Sequence, residues 1–286
     1  MKNIFLSFLT AIIASFLFAI ITDQPAGEKA TEKESAYNRV LRTGELRCAY
    51  VNWYPYFILD PNKGALPSGI NVEITEAIGK TLDLKIRWSE EVGWGNLVEG
   101  LNTHRYDAVC TSVWPDAPKI KHLALSEGMF YDTLYAYVRA NDNRFDGNLD
   151  KINSPDNRIA AIDGGSSYEI AKSAFPKAKI VALAQNVSTA EGFLNVTAGK
   201  ADVIITSPDE FHTFNKNNPG QMKRVENAPP VRTMPMVMSF GPGEEKLRDR
   251  INYALQMLVD NGDIAKIVRK YSTDYILRAP SHHPAP

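Results

Sequence analysis

The sequence is poor in the residues that mark metal centres and covalent catalysis. It has 2 cysteines and 5 histidines in 286 residues, and none of them has the spacing of metal ligands. It also lacks a G-x-S-x-G motif, a phosphate-binding glycine loop and a histidine near a serine or cysteine in a matching loop. The sequence therefore predicts no metal site, no catalytic residue and no cofactor.

An excess of either charge is also missing. The chain has 32 basic and 33 acidic residues, which leaves a formal net charge of -1. This balance removes the electrostatic argument for a nucleic-acid partner. With 44% hydrophobic residues the chain has the composition of a soluble globular protein with a good core, and its length allows one or two domains.

The sequence has one long apolar run, residues 4–21, which follows Lys2. A charged start before such a run predicts an export signal, with Lys2 left inside the cell and the rest of the chain exported. The run is nearly long enough to span a bilayer, and residues 22–26 are a poor cleavage site. Residues 1–22 are therefore predicted to be either a signal peptide or an uncleaved membrane anchor, and they make the only predicted membrane contact.

The two cysteines, Cys48 and Cys110, both lie within predicted strands. An exported chain could oxidise them to a disulfide. Cysteines in strand cores usually just pack as small apolar residues, however. We therefore expect two buried thiols, with a disulfide as the alternative.

Segments that predict strands and helices alternate along the chain. Residues 45–51, 84–88 and 107–111 have the apolar character of buried strands, and isoleucine and leucine recur every fourth residue from 70 to 82, which forms one helix face. Another helix is expected near Leu97. The order strand, helix, strand, helix, strand predicts an α/β fold with a mostly parallel sheet.

A similar order begins again at residue 158. Residues 105–112 and 200–207 share a basic residue, an aspartate two positions later (Asp107 and Asp202), an apolar run and a final Thr-Ser pair. This internal similarity predicts two lobes of similar construction.

Polar and aromatic residues follow several of the predicted strands, where open α/β sheets bind their ligands. They offer indole faces for a planar or cationic group, hydroxyls, one cation, and the N–H groups of a helix start. Each has a structural alternative, since aromatics can cover the end of a sheet, serines can cap a helix and a lysine can be solvated. Tyr56 is expected to pack. The candidate ligand-binding residues are Trp53, Trp94, Thr111, Ser112, Trp114, Lys119, Gly165, Ser166 and Ser167.

Short motifs occur in a specific order between residues 44 and 275. They are TGELR at 43–47, YPYF at 54–57, SGINVE at 68–73, Trp94 with Leu97, YDAV at 106–109, Leu247-Arg248 and NG at 261–262. In this order and spacing the chain resembles family 3 of the bacterial extracellular solute-binding proteins, the periplasmic receptors of polar amino acid importers. The resemblance implies two lobes of a type II-like periplasmic binding fold, an ABC permease as partner, a periplasmic location and a monomer.

The resemblance also sets expected limits for the parts of the chain. The two lobes should be joined by two crossings, with a hinge near Ala140 and Arg232 that closes on a ligand. The expected parts are a signal or anchor at 1–22, a linker at 23–43, a first lobe at 44–138 and 236–275, a second lobe at 141–232 and a tail at 276–286.

Four positions depart from the family's clamp for α-amino acids. Lys119 stands where family members usually have an arginine that binds the ligand carboxylate through two hydrogen bonds. A lysine also attracts an anion, but as a point charge without this bidentate geometry. Trp114 replaces a small hydroxyl residue. Tyr50 and Ser207 replace acids that hold the amino group, and by its place Ser207 joins the candidate ligand-binding residues.

The predicted function is the receptor of an ABC importer that clamps a small carboxylate-bearing solute, which can also be aromatic. We expect its anionic group on Lys119 and residues 165–167, and its body stacked on Trp94 and Trp114. An enzyme resembling cyclohexadienyl dehydratases is one alternative, although the sequence offers no well-placed acid in the turn of the second lobe. A membrane-tethered sensory domain is the other, provided that residues 1–22 stay uncut.

Overall fold

The computed structural model of the protein describes residues 34–60 and 66–271. The predicted signal or anchor, residues 23–33 of the predicted linker and the predicted tail lie outside these ranges. Within them, no helix combines the length and the apolar character needed to cross a membrane.

The first lobe is built on parallel strands covered by helices. Its elements are α1 (Ala36–Thr43), β1 (Glu45–Tyr50), β2 (Ile58–Leu59), β3 (Pro67–Ser68), α2 (Ile70–Leu82), β4 (Lys85–Glu91), α3 (Leu97–Asn102), β5 (Ala108–Val113), α4 (Ala117–His122) and β6 (Ala124–Leu125). Strand β1 lies between β4 and β5 and runs parallel to both. Ile70, Ile74 and Ile78 of α2 are fully buried, because their four-residue spacing places them on one helix face.

The second lobe repeats this plan. After a short 3₁₀ turn (Leu149–Ile152) it contains β8 (Arg158–Ile162), α5 (Ser166–Ala174), β9 (Lys179–Leu183), α6 (Thr189–Thr197), β10 (Val203–Thr206), α7 (Pro208–Asn217) and β11 (Met222–Arg224). Strand β8 lies between β9 and β10 and is parallel to both. The arrangement of β9, β8 and β10 therefore matches that of β4, β1 and β5.

Two long strands connect the lobes. They are β7 (Phe130–Arg139) and β12 (Arg232–Phe240), and they pair antiparallel through residues 130–134 and 232–236. The far end of β7 pairs with β10, and the far end of β12 pairs with β5. Each crossing strand thus adds an antiparallel strand to one lobe, and β11 and β6 pair with their other sides. The short segment in which the crossing strands pair with each other is where the lobes can hinge.

The α/β two-lobed fold expected from the sequence is confirmed by this topology. The predicted lobe limits stay predictions, with one amendment from the strand pairing. Residues 135–138, which we expected in the first lobe, pair with β10 of the second lobe. They do so because β7 continues through the hinge as one strand instead of ending there.

The chain returns to the first lobe at its C-terminal end. Helices α8 (Glu245–Asp260) and α9 (Asp263–Arg269) follow β12. Leu247, Ile251 and Leu255 of α8 are buried in the same core as the isoleucines of α2. The first lobe is therefore closed by a segment distant in sequence.

The internal similarity corresponds to one structural device used twice. Asp107 precedes β5 and its carboxylate accepts the backbone N–H of Arg47 at 2.7 Å, while Asp202 precedes β10 and accepts the backbone N–H of Arg158 at 3.0 Å. In return, the N–H of each aspartate donates to the carbonyl of the same arginine. Although burial opposes it, hydrogen bonds from Arg158, Arg139 and Arg144 lower the pKa of Asp202. Each aspartate therefore fastens the third strand of its lobe to the first.

The expectation of two free thiols is wrong, because Cys48 and Cys110 form a disulfide with a Cα–Cα distance of 5.4 Å. The neighbouring parallel strands explain it. Cys48 of β1 lies opposite Ala108 of β5, and Cys110 is two residues further along β5 on the same face. Periodicity placed each cysteine in a strand but could not show that the two strands are neighbours.

Candidate functional site

A cavity of about 50 Å³ lies between the two lobes, at the carboxyl ends of their strands. Its walls come from both lobes. The first lobe contributes tryptophans, and the second lobe contributes strand ends, the start of α5 and polar groups of α6 and α7. The lining residues are Trp53, Trp94, Trp114, Ala160, Ala161, Ile162, Gly165, Ser166, Ser167, Leu183, Thr189, Gly192, Ile204, Ile205, Thr206 and Glu210.

Three indole rings form one side of the cavity. Trp53, Trp94 and Trp114 follow β1, β4 and β5, so the parallel strands bring them to the same edge of the sheet. The ring of Trp53 is 5.1 Å from that of Trp94 and 5.5 Å from that of Trp114, at interplanar angles of 89° and 83°. Perpendicular indoles make a cage that can stack on a flat group or surround a cation. We call these three residues the tryptophan cage.

The carboxylate of Glu210 faces the cage from the second lobe. Its Oε1 accepts the indole N–H of Trp53 at 2.9 Å, which joins the two lobes. The hydroxyls of Thr189 and Thr206 also donate to it. Burial raises the pKa of Glu210, and the hydrogen bonds from these neutral donors only partly oppose that effect. Among the described residues no ion pair involves Glu210, so none of these residues gives its carboxylate a cationic partner.

A second contact between the lobes centres on Lys119, which is 5% exposed. Its ammonium group forms an ion pair with Asp116 and donates to Ser166 Oγ at 3.0 Å. The hydroxyl of Ser166 lies 2.8 Å from Asp116 Oδ2 and 2.7 Å from the carbonyl oxygen of Trp114, and it can donate to one of them at a time. Asp116 Oδ1 also accepts the backbone N–H of Lys119, which caps α4. The cation predicted to hold a solute anion therefore already has a carboxylate of the protein.

A buried acid lies next to the cage in the crossing strand β7. Asp132 is 1% exposed, and its Oδ2 accepts the hydroxyl of Tyr56 at 3.0 Å. Burial, helped by the negative charges of Glu210 and Asp209, raises the pKa of Asp132 to about 7 against the hydrogen bond from Tyr56. The surroundings of the cage are therefore rich in carboxyl groups.

The sequence profile of one family matches most of the chain. It is that of the bacterial extracellular solute-binding proteins, family 3, and it covers residues 46–274. The chain belongs to this family. It is a solute-binding protein of the amino-acid ABC transporter type.

Relatives of this family 3 protein span nearly its whole length. A Haemophilus influenzae protein named "Probable amino-acid ABC transporter-binding protein" is 24% identical over 263 residues, which is 92% of this chain and 95% of the relative. An ancestral amino acid-binding protein, described as a precursor of cyclohexadienyl dehydratase, matches with a TM-score of 0.69 at 22% identity and covers 83% of this chain and 99% of its own. A histidine kinase sensor domain matches with a TM-score of 0.69 at 16% identity, with coverages of 82% and 98%. These structural similarities establish the fold.

The structure brings most of the candidate residues of this family 3 protein together. Six of them line the cavity, and Lys119 is one hydrogen bond behind its wall, through Ser166. Tyr56 is buried against Phe130 and Asp132, as expected for a packing residue. The six lining candidates are Trp53, Trp94, Trp114, Gly165, Ser166 and Ser167.

The remaining three candidates lie outside the lining and make structural hydrogen bonds. Thr111 accepts the backbone N–H of Val51 at 3.1 Å, which ties the ends of β1 and β5. Ser112 accepts from the amide of Asn71 at 2.9 Å. Ser207 caps α7 through the N–H of Glu210 at 3.5 Å. Each hydroxyl is in the predicted loop or strand end, but each turns toward its own backbone or a neighbour.

The prediction missed Glu210, Thr189 and Thr206, and it did not pair Asp116 with Lys119. The stretch Ser207-Pro-Asp-Glu210 carries the S-x-x-E spacing of a capping box, which could have drawn attention to Glu210. In the structure its carboxylate leaves the helix end and enters the cavity instead. The second lobe thus brings an acid to the cavity from the first turn of α7, where the prediction, which considered the preceding turn, did not look for one.

Proposed function

We propose that this family 3 protein is the receptor of an ABC importer and holds a small solute in the cavity between its lobes, against the tryptophan cage. The observation that carries this proposal is a cavity whose walls come from both lobes. A solute bound there touches both lobes at once, so it stabilises the closed arrangement through contacts that an open one lacks. The name of the Haemophilus influenzae relative supports the importer as partner.

The crossing strands provide the movement that this function needs. The lobes are joined through the paired segments 130–134 and 232–236, and across the cleft they meet at Trp53 with Glu210 and at Lys119 with Ser166. Hinge closure changes contacts across the cleft, such as these, together with the backbone of a few hinge residues. A bound solute should therefore shrink the radius of gyration in solution scattering. An unchanged radius at saturation would contradict a clamp.

A carboxylate group, as predicted from the sequence, remains one candidate for the part of the solute that the site holds. Lys119 and the start of α5, with Ser166 and Ser167, support it, because helix N-termini and cations attract anions. Asp116 opposes it, since its carboxylate already bonds both Lys119 and Ser166. A solute carboxylate would have to displace that of Asp116. Calorimetry with α-amino acids and with aromatic carboxylates tests this candidate directly.

A dehydratase-like enzyme is the alternative function that one observation favours. Glu210 lines the cavity and burial raises its pKa, so it could act as an acid. The described residues offer only Lys119 as a cation beside the cavity, and it is paired with Asp116. Prephenate and arogenate are the substrates to test, with the aromatic product followed by absorbance. Formation of that product by the native chain and not by Glu210→Gln would establish the enzyme.

We also propose that the protein works as a monomer in the periplasm. The disulfide between Cys48 and Cys110 supports an oxidising compartment. Intact mass of the protein recovered from cells decides the fate of residues 1–22. A mass that includes them would indicate a tethered protein, and it would favour the sensory alternative over a freely diffusing receptor. Light scattering of the purified protein tests the monomer.

A further inference from the structure

The place where a solute anion would bind is filled by the protein itself. Asp116 is 8% exposed and its carboxylate bonds both Lys119 and Ser166, at the start of α5. Among the described residues that line the cavity or hydrogen-bond to its lining, Lys119 is the only basic side chain. A second carboxylate at this point would face that of Asp116 with one cation between them, and like charges in a buried site repel strongly.

The carboxylate in the cavity has no positively charged group bonded to it among the described residues. The carboxylate of Glu210 faces the tryptophan cage and is bonded by Trp53, Thr189 and Thr206, all neutral donors. A buried ionised carboxylate without a cation is costly, so such a group becomes protonated or acquires a cationic partner. Asp132 lies close enough for its charge and that of Glu210 to affect each other. A cation in the cavity would relieve both carboxylates.

The walls around Glu210 suit a cation with an apolar surface. Tryptophan is the best aromatic partner for a cation, and the cage presents three of them. A wider groove of about 770 Å³ shares Trp53, Trp94, Thr189 and Glu210 with the cavity. It adds polar side chains, including Asn52, Gln185, Asn186 and Thr213. A solute could therefore place a cationic end in the cage and a polar body in the groove.

We infer that the solute is an organic cation without a free carboxylate, an amine, guanidine or quaternary ammonium compound held between the tryptophan cage and Glu210. This inference rests on the proposed function and names the chemical class of its solute. The cation stacks on the indoles and faces the Glu210 carboxylate, while Asp116 keeps Lys119 neutralised. Glu210 and Lys119 then each have a partner of opposite charge.

The test compares cations with and without a carboxylate on the same body. Calorimetry of the full exported chain would use agmatine with arginine, histamine with histidine, tyramine with tyrosine, and choline with glycine betaine. We expect one cation at least to bind ten-fold or more tightly than its carboxylate-bearing counterpart. Tighter binding of the carboxylate-bearing members would overturn the inference and leave the receptor function intact.

Failure to bind any member of these pairs would also overturn the inference. A thermal-shift screen of neutral and anionic solutes then separates the two proposals. A hit in that screen keeps the receptor function, whereas no hit from any class of solute contradicts it as well.

Substitution of the acid provides an independent check. Glu210→Gln keeps an oxygen that can accept the indole N–H of Trp53 but removes the charge, so we expect a ten-fold or greater loss of affinity for the cation. Glu191→Gln, an exposed carboxylate at the start of α6, is the matched control and should leave affinity unchanged. Circular dichroism and the midpoint of thermal unfolding confirm that both variants fold. Equal affinities of native chain and Glu210→Gln would overturn the role of the acid.

Discussion

Substitution of Asp116 by asparagine should convert the site from one that excludes carboxylates to one that accepts them. Asparagine caps a helix as well as aspartate does, so α4 keeps its start. The change removes the charge that pairs with Lys119, which is 5% exposed in the closed arrangement. A buried ammonium then faces only the hydroxyl of Ser166 and an amide oxygen.

The magnitude follows from the burial of the pair. Removing one partner of a buried ion pair costs about 3–5 kcal/mol. The asparagine oxygen can still accept from Lys119, and a hydrogen bond to a charged group contributes about 1.5–3 kcal/mol, so we take a net cost of roughly 2 kcal/mol. Ser166 belongs to the other lobe, and opening the cleft would return Lys119 to water. The cost therefore falls on closure more than on folding, and it lowers the ratio of closed to open molecules by roughly 30-fold.

Two measurements check this prediction. Solution scattering without solute should give Asp116→Asn a radius of gyration at least as large as that of the native chain. Calorimetry should show that arginine gains at least ten-fold in affinity relative to agmatine, because Lys119 is now free for a carboxylate. Asp163→Asn removes an exposed carboxylate beside the same cleft and is the control. Unchanged discrimination between arginine and agmatine in Asp116→Asn would refute the reasoning.

Three further predictions test other parts of the structure. Replacing Cys48 and Cys110 together by serine should lower the free energy of unfolding by about 2–4 kcal/mol in urea titrations, and reductant should destabilise only the native chain. Asp132→Asn should flatten the dependence of stability on pH. The pKa of Asp132 is about 7 in the folded protein and 3.8 for an ordinary aspartate, so its ionisation lowers native stability as pH rises from 3.8 to about 7, as denaturant titrations at several pH values would show. Trp53→Phe keeps an aromatic wall but loses the bond to Glu210, so solute affinity should fall about five- to ten-fold, with unchanged stability of the free protein as the control.

The fold was predictable because its main elements carry their own periodicity. The spacing of apolar residues in α2 and the buried runs of β1, β5 and β8 are local signals, and they survive in the structure. Elements such as β6 and α4 are too short to carry such a signal. Pairing between strands is a long-range property, which explains why the disulfide and the passage of β7 into the second lobe were not foreseen.

The candidate site was predictable only as far as position in the fold defines it. Trp53, Trp94 and Trp114 reach the cavity because each follows a parallel strand, and that placement can be read from the sequence. The direction of a short side chain cannot be read from the sequence in this way. Thr111 and Ser112 were predicted to face the cavity, but they hydrogen-bond to neighbouring groups instead. Helical and strand positions specify where a residue lies, whereas competing hydrogen bonds decide where its hydroxyl points.

Membership of the family and the chemistry of the solute are separate properties of this chain. Lys119 of the first lobe and the start of α5 in the second lobe meet through the hydrogen bond to Ser166. At this contact one side chain, Asp116, already pairs with Lys119, and our inference is that this pairing decides which charge the site accepts. Glu210 changes it in the same direction from the opposite wall, since it brings a carboxylate to the cage without a cation of its own. Two carboxylates on elements of different lobes thus favour the same class of solute, and this agreement does not depend on any similarity to a relative of known specificity.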